Sequence, residues 1–172
     1  MFAVENNDFS PGRFLESTSC PRLGSSASRI DQRIFAPNYQ SKLMPLIRFD
    51  IIEGRTDAEI TALLDAAHRA VLIAFAVPER DRYQIVTEHK PSRVIAQDTG
   101  LGIERTRNVV VVSVVSRARS QASKQVFYAE LCRELQEACN VEPSDVIVSF
   151  TSNSDDDWSF GNGVAQYLTG DL

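Results

Sequence analysis

Met44-Pro45-Leu46-Ile47-Arg48-Phe49-Asp50-Ile51-Ile52 is followed, after three residues, by Thr56-Asp57-Ala58-Glu59. The first stretch is a strand that begins on proline, which has no N–H and is tolerated as a strand's first residue. The second is a capping box, so a helix opens there. Its apolar positions Ile60, Leu63, Leu64, Ala67, Val71 and Phe75 recur at helical spacing. Pro78 lies just beyond the expected helix end, and Tyr83–Thr87 reads as a second strand. Strand, helix and parallel strand make one β-α-β unit, whose crossover is expected to be right-handed.

The unit recurs 64 residues further on: Arg55 maps to Arg119, Val71 to Leu135, Ala74 to Ala138, Val77 to Val141 and Asp81 to Asp145. In the second copy Asn108–Ser116 is a Val-rich strand and Ser120 caps a helix carrying Val126, Phe127, Leu131 and Leu135. Pro143 precedes a strand over Asp145–Thr151, and a short strand around Arg93–Ala96 is expected between the halves. The expected fold is therefore α/β (α+β): a duplicated β-α-β unit with a four-stranded mixed sheet and two helices on one face. The Val109–Val115 run alternates poorly and reads as buried on both sides. A domain of this size has nothing left to cover the second face, so oligomerisation is expected.

Residues 1–44 differ from the rest. Ser10, Ser17, Ser19, Ser25, Ser26, Ser28 and Ser41 are spread among Pro11, Pro21 and Pro37 without helical or strand periodicity. They read as a disordered N-terminal extension, with 45–172 the folded domain. Glu5 and Asp8 near the start do not fit a mitochondrial presequence, and the apolar core of a secretory signal is missing. An overextended start or a dispensable leader is the expectation. The point matters for Pro45. If Met44 is the true start and is removed, Pro45 carries a free secondary amine; with the extension attached, its nitrogen is an amide without a proton or basicity.

The stretch 45–172 holds 13 Lys+Arg against 19 Asp+Glu, which argues against nucleic acid or an anionic membrane as the main partner. No apolar run approaches a membrane span. Cys20, Cys132 and Cys139 are an odd, sparse set, the mark of reduced thiols in a cytoplasmic protein. His68 and His89 have no companions at ligand spacing, so no metal site is expected. Asp155-Asp156-Asp157 does not match a calcium loop and reads as a solvated turn.

The stretches Phe49–Asp57, Leu63–His68, Asp81–Gln84, Asp98–Gly102, Ser116–Ser120, Asp157–Gly161 and Leu168–Leu172 are ordered and collinear with those of a known family. On them the chain from 45 to 172 resembles the tautomerase superfamily and, within it, the malonate semialdehyde decarboxylases. The resemblance implies a homotrimer whose sheets form a central barrel, and chemistry without a cofactor. It implies a catalytic N-terminal proline at Pro45, an arginine pair at Arg117 and Arg119, and a catalytic aspartate at Asp81. An aromatic wall falls on Trp158, Phe160 and Tyr167, with Leu172 at its end; relatives carry Phe at the position of Tyr167. The 44-residue prefix departs from the family.

The residues suit that chemistry. Decarboxylation of a 3-oxo acid needs an electron sink at the carbonyl, which a protonated proline amine would supply. Arg117 and Arg119, spaced i, i+2 at a strand end, would point to one face and grip the carboxylate of an oxo-acid substrate. By pattern alone the pair reads better as surface charge, Asp81 as a turn cap, and Trp158 and Phe160 equally as core; the resemblance moves each toward the site. The expected function is decarboxylation of malonate semialdehyde or a similar short 3-oxo acid to an aldehyde and carbon dioxide. Two alternatives stay open: a tautomerase or hydratase of 2-oxo or acetylenic acids, or a non-enzymatic trimeric binding module if the extension is retained.

Overall fold

The structure, a computed structural model, describes residues 44–172; the extension expected over 1–44 lies outside the described residues except for Met44. The order is β1 (Leu46–Ile52), α1 (Asp57–Phe75), β2 (Tyr83–His89), β3 (Val110–Arg117), α2 (Gln121–Cys139), β4 (Val146–Asn153) and the short α3 (Gln166–Thr169). The strands form one sheet in the order β2-β1-β3-β4. Within each half the strands are parallel, β1 with β2 and β3 with β4. The halves meet antiparallel along β1 and β3, with Leu46 opposite Val115 and Ile51 opposite Val110.

The caps explain why the two helices start and stop in step. Glu59 donates its backbone N–H to Thr56 Oγ1 at 3.3 Å, and its carboxylate accepts the Thr56 N–H at 2.7 Å. The Thr56 N–H and hydroxyl, both donating to that carboxylate, hold the Glu59 carboxyl below its ordinary pKa. At the equivalent point of α2, Ser120 Oγ accepts the Ser123 N–H at 3.1 Å. Both helices end on a left-handed residue, Ala76 (φ 49°) and Asn140 (φ 53°), at matching places in the repeat. That conformation suits asparagine and costs alanine roughly 1 kcal/mol.

Alternate residues of the central strands form the core: Ile47, Phe49 and Ile51 of β1, with Val110, Val112 and Val114 of β3. Leu63, Ala67 and Val71 of α1 and Phe127, Leu131 and Leu135 of α2 bury against this same row, so both helices cover one face. The Phe75 and Phe127 rings stack at 5.1 Å across the helix pair. Val126, on the same helix as Phe127, is 44% exposed. It lies one residue, about 100° of helix, off the Phe127-Leu131-Leu135 row.

One expected element is missing, for a physical reason. The expected strand at Arg93–Ala96 is absent; Pro91–Arg93 forms a 3-10 turn in which the Arg93 N–H bonds back to Lys90 O at 2.8 Å. Within one chain the Val-rich β3 is buried on one face only, with Val111, Ser113 and Val115 half-buried on the other. Asp145 ends the 3-10 turn Pro143–Asp145 and is fully buried. Its two oxygens accept the backbone N–H and the hydroxyl of Thr106, each at 2.6 Å, and so pin the loop that precedes β3. Asp145→Asn replaces one acceptor with a donor facing this pair. It is expected to lower unfolding free energy by about 1–3 kcal/mol, measured by denaturant titration; unchanged stability would show that the bonds to Thr106 do not hold the loop.

Candidate active site

β1 and β2 begin, and β3 and β4 finish, at the same edge of the sheet. Continued one step past Leu46, the antiparallel register sets Pro45 across from Ser116 and Met44 across from Arg117. The parallel register sets Arg117 beside Asn153, so the chain leaving β4 begins next to the arginine.

That departing chain folds back on itself. Ser154 donates its N–H to Asp157 at 2.8 Å and opens a 3-10 turn over Asp155–Asp157. Trp158 Nε1 donates to Asn153 Oδ1 at 2.9 Å, anchoring the indole to the end of β4. The Gln166 side chain accepts the Phe160 N–H and donates to Gly161 O, both at 2.9 Å, which closes the loop and brings α3 inward. Trp158 and Phe160 stack with centroids 5.3 Å apart, and Tyr167 meets Phe160 edge-on at 5.3 Å. Tyr83, at the start of β2, joins at 5.9 Å from Phe160.

The aromatic wall meets the arginines at Tyr167. The Arg117 guanidinium carbon lies 4.9 Å from the Tyr167 ring centre, a cation–π contact. Arg117 Nε also pairs with Asp155 Oδ1 at 2.5 Å. The Met44 N–H donates to the Tyr167 hydroxyl at 3.4 Å, so the hydroxyl stands one residue from the Pro45 nitrogen along the chain. Arg119 arrives differently. β3 ends at Arg117, so strand alternation does not extend to Arg119. Its Nε donates to Ser116 Oγ at 3.1 Å and its guanidinium covers the Phe75 ring at 4.6 Å. Burial pushes the Arg119 pKa down to about 10, Tyr167 pulls it back up, and the like charge of Arg117 lowers it further. Arg119 is therefore a cation at neutral pH.

The structure thus brings Arg117, Arg119, Trp158, Phe160 and Tyr167 together at the Pro45 edge. Asp81 sits in the loop entering β2 at that edge, its N–H donating to Pro78 O at 2.9 Å. Among the described residues no hydrogen bond or ion pair joins its side chain to the arginines. Leu172, at the chain's end, is 38% exposed. Asp155 was read as part of a solvated turn; strand register brings it to Arg117, and register is not written in a local motif. At the opposite edge the repeat places Val109 where the first cluster has Pro45, and Glu53 where it has Arg117. Arg55, the counterpart of Arg119, bonds to Ile52 O at 3.4 Å and Asn108 O at 3.0 Å. One edge alone carries the proline and the arginine pair. No group of three or more His, Cys, Asp or Glu able to hold a metal occurs among the described residues.

A tautomerase enzyme family profile matches residues 45–103, and a second tautomerase enzyme profile matches 81–161. A probable tautomerase of Bacillus subtilis (strain 168), YrdN, is 52% identical over 129 residues, 75% of this chain and 100% of the relative. The chain belongs to the tautomerase family. A second probable tautomerase of that organism, YusQ, is 26% identical over 126 residues, 73% of this chain and 99% of the relative. Solved structures of a malonate semialdehyde decarboxylase, described with decarboxylase and hydratase activities, match at 52% identity and TM-score 0.72. That match covers 74% of this chain and 98% of the other. The FG41 malonate semialdehyde decarboxylase inhibited by 3-bromopropiolate matches at 42% identity and TM-score 0.71, covering 74% of this chain and 97% of that one. The tautomerase fold is thus shared with malonate semialdehyde decarboxylases. Among the described residues no helix is long and apolar enough to cross a membrane.

Proposed function

We propose that this tautomerase is a cofactor-free decarboxylase of malonate semialdehyde or a similar short 3-oxo acid, with the Pro45 amine as its acid. The supporting observation is the meeting of Arg117 and Tyr167, 4.9 Å apart, at the strand end that register sets across from Met44 and Pro45. Arg117 and Arg119 hold the substrate carboxylate through their planar forks. Their charge alone would favour the carboxylate over its loss. They act instead by orientation, turning the breaking C–C bond into overlap with the carbonyl π system. As that bond breaks, its electron pair moves through the middle carbon to the carbonyl oxygen, which takes a proton from the Pro45 ammonium. Carbon dioxide leaves; the enol then takes a proton at carbon from water while its hydroxyl proton returns to the Pro45 amine, giving the aldehyde. Trp158, Phe160, Tyr167 and Leu172 form the less polar side, where neutral carbon dioxide departs.

The amine exists only if the active chain starts at Pro45. Two findings support that start. The family profile begins at residue 45. The 129 residues matched by the whole Bacillus relative equal the length from Met44 to Leu172. The half-covered β3 face, with Val111 and Val115, supports assembly as a homotrimer in which neighbouring copies cover it.

A second reading, tautomerisation or hydration of 2-oxo or acetylenic acids, is favoured by the name of the Bacillus relative, a probable tautomerase. Parallel incubations with 3-oxopropanoate, a 2-oxo acid and an acetylenic acid separate the two. The proposal expects stoichiometric carbon dioxide and acetaldehyde; a tautomerised or hydrated 2-oxo acid as the preferred turnover, without carbon dioxide, would replace it.

Asp81 is proposed to place substrate or water. Asp81→Asn keeps the turn-forming ability of the residue but removes its charge. Turnover is expected to fall roughly 10²–10⁴-fold while the melting temperature holds. Unchanged turnover would leave Asp81 as a turn residue alone.

A further inference from the structure

The three consecutive carboxylates after β4 do different jobs. Ser154 donates its hydroxyl to Asp156 at 2.5 Å and to Asp157 at 2.8 Å, and its N–H also goes to Asp157. Hydrogen bonds from the Ser154 backbone and hydroxyl hold the Asp157 carboxyl below its ordinary pKa. These two acids build the turn. Asp155 does not: its Oδ1 reaches back to Arg117 Nε at 2.5 Å. Arg117 is thus held on two sides, by a carboxylate at Nε and by the Tyr167 ring against its face at 4.9 Å. A guanidinium fixed through Nε still presents both Nη groups, the edge that pairs with a carboxylate in bidentate fashion.

From this geometry we infer that Asp155 is a positioning and specificity-determining residue: it aims Arg117 and cancels one of the two arginine charges, so that the site selects monoanionic over dianionic short acids. The inference rests on the carboxylate-gripping role proposed above for Arg117. Asp155 lowers the positive charge that Arg117, together with Arg119 and the Pro45 ammonium proposed above, presents to a bound acid. A 3-oxo acid brings a single carboxylate, which the Nη edge of Arg117 can take. A dicarboxylate of the same length brings its second charge into the field of Asp155, at a separation where exposed charges still interact.

The test is equilibrium binding of propanoate and malonate to the full chain, followed by calorimetry, in the unsubstituted protein, Asp155→Asn and Asp155→Glu. The variant Asp155→Asn is expected to raise the affinity ratio of malonate to propanoate about fivefold to tenfold, the scale for one partly screened charge. Asp155→Glu, which restores the charge, is expected to return the ratio toward the original. In turnover, Asp155→Asn is expected to raise KM for 3-oxopropanoate more than it lowers kcat. A ratio unchanged in Asp155→Asn while 3-oxopropanoate is still decarboxylated would overturn the role of Asp155 and leave the carboxylate grip standing. If Arg117→Ala binds both acids as tightly as the unsubstituted protein, the grip itself fails, and the role of Asp155 with it.

Discussion

A chain that begins at Pro45 is expected to decarboxylate 3-oxopropanoate roughly 10²–10⁴-fold faster than one that retains residues 1–44, the range for loss of a positioned acid. The cause is one bond. Joined to Met44, the Pro45 nitrogen is a tertiary amide with no proton to give. Released, it is a secondary amine. Free α-amino groups titrate at about 7.7–8.0, and two nearby guanidinium groups would push this one down by like charge. Activity that needs the protonated amine should then fall as pH rises through its lowered pKa, with full activity on the acid side. The two forms are compared at equal concentration, with intact mass confirming each N-terminus. Equal rates would remove the amine from the mechanism.

The arginine pair carries the second large effect. Arg117→Ala and Arg119→Ala are each expected to cost about 2–4 kcal/mol of transition-state stabilisation, as for loss of a positioned charged donor. The fold should survive, because both residues lie at the rim of the sheet and neither belongs to the buried cluster around Phe49, Phe127 and Leu135. The two variants should differ in one respect. Arg119, held to a pKa of about 10 chiefly by burial, loses its charge as pH rises through that value. In the unsubstituted enzyme KM should climb there, and in Arg119→Ala that climb should disappear. Steady-state kinetics in both variants across pH decides the matter; near-normal kcat/KM in either would mark that arginine as surface charge.

How far the sequence reaches is seen in individual residues. Thr56 and Glu59 announce the first helix because a capping box is a local motif, satisfied within four residues. The 64-residue shift places the second helix cap at Ser120, again from local chemistry repeated. Side-chain direction is harder to read. Val126 is apolar at nearly the right spacing, and only the angle of its neighbours places it outside the core. Asp145 and Asp81 are equivalent in the repeat, yet one is fully buried on Thr106 and the other is half-exposed. Nothing local distinguishes them, because the partner of Asp145 is 39 residues away. Asp155 is legible only after β4 is set beside β3, since its partner Arg117 lies on the neighbouring strand. Trp158, Phe160 and Tyr167 were placed by resemblance; their spacing alone fits a core as well as a wall. Contacts that close over a few residues are written in the chain, and those that depend on register are not.

The central claim, that decarboxylation runs on the amine of Pro45, is tested most directly on the protein recovered from its own cells. Chromatographic fractions are assayed for carbon dioxide release from 3-oxopropanoate, and the intact mass of the protein in each fraction is measured. The account predicts that the active fractions hold a chain starting at Pro45, with both the extension and Met44 gone. Activity travelling with a chain that still carries residues 1–44 would contradict it.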